Sequence, residues 1–286
     1  MMQSGPDKHI ALVCNPTADN DKAFRMTDSL SLLLTGMNLK HSIYTTYWPK
    51  EWEGITEAWI IGGDGTINWF INQYPDFNRP LALFKGGSGN DFHWMLYGEM
   101  ALEKQVERVL KAVPSAVDAG ICNGRMFLNG VGIGFDGAIV HDLVGKKKLA
   151  GKASYLLSIL KHIVGYQEKH CTIRLPDEVL ESDSFMISIA NARRYGGGFH
   201  VAPRAQLTDG LLDANIVGRI SPLKRIQYLP VIEKGQHLEL PFITYRQCTA
   251  VRITSKMALH AHLDGEYLFD KEFDITVLPK RFTFLY

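Results

Sequence analysis

The stretch Ala58-Trp59-Ile60-Ile61-Gly62-Gly63-Asp64-Gly65-Thr66-Ile67-Asn68 constrains the fold more than any other, because three structural signals follow one another within it. Trp59 to Ile61 read as a buried strand, and Ile67, Phe70 and Ile71 as the apolar side of a helix that starts beyond the glycines. A strand, a glycine turn and a helix in that order set backbone N–H groups at a helix N-terminus, where phosphate oxygens are favoured. Glycine there permits positive φ and removes the Cβ that would keep a phosphate away. Asp64 adds a negative charge, which suits a Mg²⁺ held directly or through water between the carboxylate and the phosphates. With 26 glycines among 286 residues, three at a fixed spacing also occur in ordinary turns. The acidic residue, the threonine and the flanking strand and helix argue against an ordinary turn here.

The rest of the N-terminal region repeats that rhythm. Apolar runs at His9 to Cys14, His41 to Thr46, Trp59 to Ile61 and Leu81 to Phe84 alternate with helical spacing at Ala23 to Leu34 and Met100 to Ala112. Such alternation predicts βα units on a parallel sheet, with a ligand site outside the C-terminal strand ends. Pro114 breaks the pattern. Beyond it, Ser184 to Ala190, Gly210 to Val217, Cys248 to Leu263 and Phe273 to Tyr286 are strand-like and closely spaced, which predicts a largely antiparallel second domain. One helical insert, Lys146 to Tyr166, opens on Lys146, Lys147, Lys148 and Lys152 and continues into the apolar run Tyr155 to Ile163. A helix of that kind packs on its own core or rests on an anionic membrane surface. The expected organisation is an α/β domain over 1–117 and an all-β domain over 118–286, the last segment returning to the first domain.

Composition narrows the class. Hydrophobic residues make up 46% and charged residues 21%, the balance of a soluble globular protein. A net charge of +1 exerts no global attraction on nucleic acid. Cys14, Cys122, Cys171 and Cys248 form no C-x-x-C pair, so reduced thiols in a cytoplasmic protein are expected. No apolar run approaches the ~18 residues that span a bilayer, and the first residues lack the apolar core of a signal peptide.

A second glycine loop, Lys85-Gly86-Gly87-Ser88-Gly89-Asn90-Asp91, follows the strand at Leu81 to Phe84 and precedes a helix at Phe92 to Leu96. Ser88 offers a hydroxyl to a phosphate, and Asn90 or Asp91 can cap the helix. Two such loops on consecutive parallel strands would face one crevice and form a cradle for a nucleotide polyphosphate. Neither contains G-x-x-x-x-G-K-[ST], so the chain is no P-loop protein. Gly132-Ile133-Gly134-Phe135-Asp136-Gly137 matches G-x-G-x-x-G, but no acidic residue occurs between Leu143 and Gln167, where a dinucleotide site needs one. Gly196-Gly197-Gly198 read as a bulge or turn. Asp209-Gly210 reads as a turn or a small cation site made with nearby carbonyls. Asp264-Gly265 reads as a hairpin turn, with Glu266 placed to serve as a general base if the fold returns it to the phosphates.

With these residues in view, the chain resembles the diacylglycerol kinase catalytic-domain family, which includes bacterial lipid kinases and the sphingosine kinases. The resemblance runs nearly end to end: Asn15-Pro16, Gly62-Gly63-Asp64-Gly65-Thr66, Gly86-Gly87-Ser88-Gly89-Asn90-Asp91-Phe92, Phe127-Leu128-Asn129-Gly130 into Gly134-Phe135-Asp136, Asn191 to Asp213, and Asp264-Gly265-Glu266. The G-G-D-G-T motif is shared with NAD kinases and resembles that of phosphofructokinases; the later motifs are those of the lipid kinases.

The resemblance implies an N-terminal α/β nucleotide domain, a C-terminal β-sandwich, and ATP bound in the cleft between them. It implies that Asn15, Thr46, Gly62, Gly63, Asp64, Gly65, Thr66, Ile67, Asn68, Trp69, Gly87, Ser88 and Asn90 bind ATP. Asp64 would help hold a catalytic Mg²⁺, and Glu266 would take the proton of the lipid hydroxyl. Asp136 would lie near the lipid head group. Asp209, with the carbonyls of Gln206 and Leu211, would hold a structural Mg²⁺. The implied partner is a lipid at a membrane surface, met by a cytoplasmic protein that associates peripherally.

Two positions depart from the family. Trp69 stands where relatives carry Glu, which removes a carboxylate near the phosphates and predicts altered Mg²⁺ handling or weak activity. Asp91-Phe92-His93-Trp94 stands where relatives often read D-F-A-R. A kinase of a soluble alcohol, such as NAD or a sugar, and a catalytically weak nucleotide-binding regulator therefore stay open beside the lipid kinase.

Overall fold

The computed structural model describes residues 8–15, 21–143, 159, 160 and 162–286. Two compact units divide the chain, one made of 1–117 with 282–286, the other of 118–281.

In the first unit the order is β1 (His9–Cys14), α1 (Lys22–Gly36), β2 (Lys40–Tyr44), β3 (Glu57–Gly62), α2 (Asp64–Gln73), β4 (Leu81–Lys85), α3 (Asp91–Tyr97) and α4 (Leu102–Lys111). The strands pair in the order β2-β1-β3-β4, all parallel. β3 is buried throughout and β1 and β4 nearly so, as expected of parallel strands covered on both faces. In α1 the buried residues Ala23, Thr27, Leu30 and Leu34 fall on one face, the spacing that turns a helix's apolar stripe toward a sheet. The chain's end belongs to this unit: Phe284 pairs with Leu81 in parallel, and the Tyr97 hydroxyl donates to the Leu285 carbonyl at 2.6 Å. His93 is buried and its ring nitrogen lies 3.0 Å from Gln105 Oε1, while the Gln105 amide donates to the Leu83 carbonyl. His93 therefore ties α3 to α4 and β4.

The second unit carries β5 (Ser115–Cys122, which begins in the first unit), β6 (Arg125–Phe127), β7 (Gly130–Gly134), α5 (Phe135–Leu143), β8 (Lys169–Arg174), β9 (Val179–Ser184), β10 (Met186–Ala190), β11 (Leu212–Val217), α6 (Pro222–Glu233), β12 (Ile243–Cys248), β13 (Ala250–Leu263) and β14 (Glu266–Phe284). Antiparallel pairing runs β12-β11-β10-β7-β13-β14, with β8 joining β13 to β9 and β6 pairing with β5. Phe127, Ile187, Ile253 and Phe273 lie in its main core.

Three sequence expectations need correction. Ser184 closes β9 instead of opening β10, and Thr249 divides the run Cys248 to Leu263 between β12 and β13. One helical insert was expected, yet α5 and α6 are also helices; Pro222 at the first turn and Pro230 inside α6 disguise it, since proline ordinarily starts or breaks a helix. Of the predicted insert, 159–160 and 162–165 are helical, while Lys146, Lys147, Lys148 and Lys152 lie outside the described residues. No helix among the described residues is long and apolar enough to cross a membrane.

The G-x-G-x-x-G stretch has a packing explanation. Gly134 has φ +94°, a conformation that L side chains resist. A Cβ on Gly137 would collide with the His260 carbonyl carbon and the Ala261 nitrogen of β13. α5 thus lies directly on the backbone of β13, which cannot yield as a side chain can. Gly137→Ala should destabilise the protein by about 1–3 kcal/mol or more, the usual cost of overpacking. A urea-denaturation midpoint unchanged from wild type would show that α5 can stand off from β13.

Candidate active site

The two glycine loops leave the C-terminal ends of the adjacent parallel strands β3 and β4. They touch backbone to backbone: a Cβ on Gly87 would lie 2.5 Å from Gly63 Cα, and one on Gly63 would lie 2.6 Å from the Gly89 oxygen. The Gly86 N–H donates to the Gly62 carbonyl at 2.9 Å and the Asp64 N–H to the Gly89 carbonyl at 3.2 Å. The Asp64 carboxylate then accepts the N–H of Asp91 at 3.0 Å and of Phe92 at 2.9 Å. Those are free donors of the first turn of α3, and a carboxylate satisfies them while opposing the positive end of the helix.

This geometry corrects two expectations. Gly62, Gly63, Gly86, Gly87 and Gly89 have no positive φ; absence of a Cβ, not conformational freedom, is what the loops require. Neither Asn90 nor Asp91 caps α3 through its side chain. Asn90 closes its own loop by donating to the Gly87 carbonyl at 2.7 Å, Asp91 is buried inside the helix, and Asp64 supplies the cap.

Of the other nucleotide candidates, Thr46, Gly65 and Ser88 are exposed, and Asn15 follows β1 directly. Thr66, Ile67 and Asn68 are buried, the Thr66 side chain lying against Gly62. Trp69 is 52% exposed. Beside it stands a residue absent from the sequence reading: Trp48 donates its indole N–H to the Cys14 carbonyl at 3.2 Å and meets Trp69 edge to face at 4.6 Å. A lone aromatic in a loop carries no periodic signal, so only the contact reveals it.

In the second unit Asp136 is the second residue of α5, buried, and accepts the Tyr195 hydroxyl at 2.7 Å. Burial pushes its carboxyl up to about 6, against the downward pull of the Tyr195 hydrogen bond. His262, also buried, is pushed down to about 4 by desolvation and is therefore neutral at neutral pH. Both crowd Gly132, where a Cβ would lie 2.5 Å from His262 Nε2 and 2.7 Å from Asp136 Oδ2. The Nδ1 of His262 accepts the Gly265 N–H at 3.3 Å. Asp264 and Gly265 have φ 47° and 89°, the two positive values of a tight hairpin turn. The buried Asp264 carboxylate accepts the N–H groups of Leu128, Asn129 and Gly130 at 2.8–2.9 Å. Glu266 opens β14 just beyond this turn and is exposed.

The Gln206–Leu211 loop is fastened by Asp118, another residue the sequence reading passed over. Its two carboxylate oxygens accept the N–H of Gly210 at 2.7 Å and of Lys280 at 2.6 Å. Asp209 is exposed, one oxygen accepting the Leu211 N–H at 3.1 Å. Among the described residues no three His, Cys, Asp or Glu side chains converge as a metal site. The candidate donors are oxygens, the carboxylates of Asp209 and Asp64. Few carboxylates with room for water is the set Mg²⁺ prefers.

Comparison with known proteins places this arrangement. The diacylglycerol kinase catalytic domain model matches residues 9–122, and the YegS C-terminal NAD kinase beta sandwich-like domain model matches residues 129–286. A protein of Chromohalobacter salexigens named "Probable lipid kinase YegS-like" is 30% identical over 237 residues, 79% of this chain and 74% of its own. A diacylglycerol kinase of Bacillus subtilis is 27% identical, covering 72% of this chain and 69% of its own. The crystal structure of a diacylglycerol kinase from Bacillus anthracis str. Sterne shares the fold with a TM-score of 0.72 at 20% identity, over 99% of this chain and 98% of that one. A further crystal structure, named "a putative diacylglycerol kinase from Bacillus anthracis str. Sterne", reaches 0.80 at 21% identity, over 100% and 98%. The matched domain and the relatives define a phosphotransferase with an alcohol acceptor. The chain belongs to the diacylglycerol kinase catalytic-domain family, with the C-terminal domain of its YegS-like lipid kinases.

Two outcomes test these assignments. Asp64→Asn keeps one acceptor but turns an amide against the other N–H; hydrogen bonds to charged groups are worth about 1.5–3 kcal/mol, so ligand-free stability should fall by that order. A wild-type melting temperature in the ligand-free variant would exclude the capping role. For Asp136, a folded value raised from 3.8 to about 6 means that its contribution to stability is complete below about 3.8 and lost as pH rises through about 6. Asp136→Asn should therefore remove that component, so that the stability difference between variant and wild type changes with pH between about 3.8 and about 6, whatever the common background from Asp213, pushed up to about 6, and from His262, pushed down to about 4 with the opposite slope. Parallel curves for the two proteins would contradict the assignment.

Proposed function

We propose that the protein transfers the γ-phosphoryl group of ATP to the hydroxyl of a lipid, of the diacylglycerol or sphingoid type, with Mg²⁺. The observation that carries the lipid acceptor is an apolar cavity within the second unit. Phe135, Ile139, Phe185, Met186, Val217 and Phe242 are among its walls, and Asp136 borders it. Its walls are predominantly apolar and aromatic, the lining of a site for an apolar ligand. So apolar a wall gives a sugar or a dinucleotide little to hydrogen-bond, whereas it suits an acyl or alkyl chain. The names of the relatives agree with a lipid acceptor.

In this reading the loop amides and Ser88 hold the phosphates, and the Asp64 carboxylate fastens the loops to α3 and would help hold the metal. Bound Mg²⁺ would neutralise charge developing on the transferred group. Asp136, fixed by Tyr195, orients the polar end of the lipid whose chain fills the cavity. Glu266 accepts the hydroxyl proton, a contribution typically worth ~10²–10⁴-fold. Asp209 with the carbonyls of Gln206 and Leu211 holds a structural Mg²⁺. The substrate places the protein at a membrane surface from the cytoplasmic side.

The test is ATP turnover on diacylglycerol and sphingoid-base micelles, with NAD and sugars as controls. Phosphorylation of a lipid alone supports the proposal; turnover only on a soluble alcohol, or on none, overturns it. Glu266→Gln should lose turnover by ~10²-fold or more while ATP affinity and melting temperature stay near wild type. Near-normal turnover in that variant would remove Glu266 from the base role.

A further inference from the structure

Trp69 presents an aromatic ring to solvent where burial would be worth more. It is 52% exposed, whereas Trp52 and Trp59 are buried and Trp48 and Trp94 are at intermediate exposure. The ring is not loosely held. Trp48 packs against it with ring centroids 4.6 Å apart and planes at 81°. Trp48 is itself fixed, by its N–H bond to the Cys14 carbonyl and by Phe70 at 5.9 Å. An edge-on neighbour braces a ring while leaving a face available, the arrangement that a further flat ring can complete by stacking.

Position decides what that flat ring is. Cys14 is the last residue of β1 and Asn15 follows it; Trp48 lies two residues beyond Thr46, past the end of β2. Trp69 lies five residues along α2 from Asp64, about 7.5 Å of helix rise from the glycine turn. The bracket Trp48–Trp69 therefore stands at the same C-terminal edge of the parallel sheet as the two glycine loops, to one side of them. A ligand whose phosphates occupy the loops and whose other end is a planar heteroaromatic group meets both features.

We propose that Trp69, braced by Trp48, is the stacking surface for the base of the nucleotide. This rests on the nucleotide reading above and adds what that reading lacks, a group that holds the base. A stacking face has no donors or acceptors to read the base edge, so Trp69 itself favours any purine over none and discriminates little between them.

The experiment measures equilibrium binding of Mg–ATP, Mg–GTP and inorganic tripolyphosphate to the whole protein, by calorimetry, for wild type, Trp69→Ala, Trp69→Phe and Trp48→Phe. Base stacking on an aromatic side chain is worth enough that Trp69→Ala should weaken ATP and GTP roughly tenfold or more. Tripolyphosphate affinity should not change, Trp69→Phe should recover most of the loss, and Trp48→Phe should fall between. Trp69 sits on the surface of α2, and an unchanged melting temperature separates binding from folding. ATP affinity within twofold of wild type in Trp69→Ala overturns the proposal. So does an equal loss of tripolyphosphate, which would make Trp69 a support for the phosphate loops. If instead Trp69→Ala releases the protein from anionic phospholipid vesicles with ATP binding intact, the ring is a membrane contact. Should wild type bind neither nucleotide nor tripolyphosphate, the nucleotide reading itself fails, a result distinct from loss confined to the base.

Discussion

The carboxylate of Asp64 accepts two backbone N–H groups from the start of α3, and so fastens α3 to the glycine loops that the Gly86–Gly62 and Asp64–Gly89 backbone bonds already join. Without it, the N-terminus of α3 would present unsatisfied donors at the point where Gly63 and Gly87 approach with no side chain between them. The glycines and the aspartate are one device. Small residues let two turns close on each other, and a short acidic side chain supplies acceptors to the donors that the closure brings together.

The second unit repeats the device with different partners. Asp264 collects three N–H groups from the Leu128–Gly130 segment, and Asp118 collects those of Gly210 and Lys280. Each joins segments far apart in sequence, and each uses charge-assisted bonds, which are stronger than neutral ones. Asp264 has a further effect, because the turn it stabilises sets where β14 starts and hence where Glu266 emerges. His262 approaches the same turn from β13 through the Gly265 N–H. The ring must be neutral to accept that bond, and its burial keeps it so.

Asp136 and His262 show how one environment acts on opposite charges. Desolvation raises the carboxyl and lowers the imidazole, since in both cases it penalises the charged form. The Tyr195 hydroxyl moderates only the first. The result is a polar spot beside a predominantly apolar cavity, compatible with an acceptor that has one polar end and a long apolar remainder.

Much of this was legible in the sequence. The alternation of apolar runs with helical spacing corresponds to β1, β3 and β4 and to α1 and α4, because a parallel strand covered on both faces reads as an unbroken apolar run. The order of the motifs carried the family, since short glycine-acidic turns keep their local chemistry wherever the chain goes. The sequence did not say which acceptor meets which donor. Asp64 capping α3, Asp264 binding Leu128 to Gly130, and Trp48 bracing Trp69 join positions whose separation leaves no periodic trace. Nor did it say that the glycines of the two loops serve close approach instead of positive φ, as no residue type records its own dihedral angle. Periodicity and turn chemistry are properties of neighbours along the chain, whereas the partner of a buried carboxylate or an exposed ring is set only when distant segments pack.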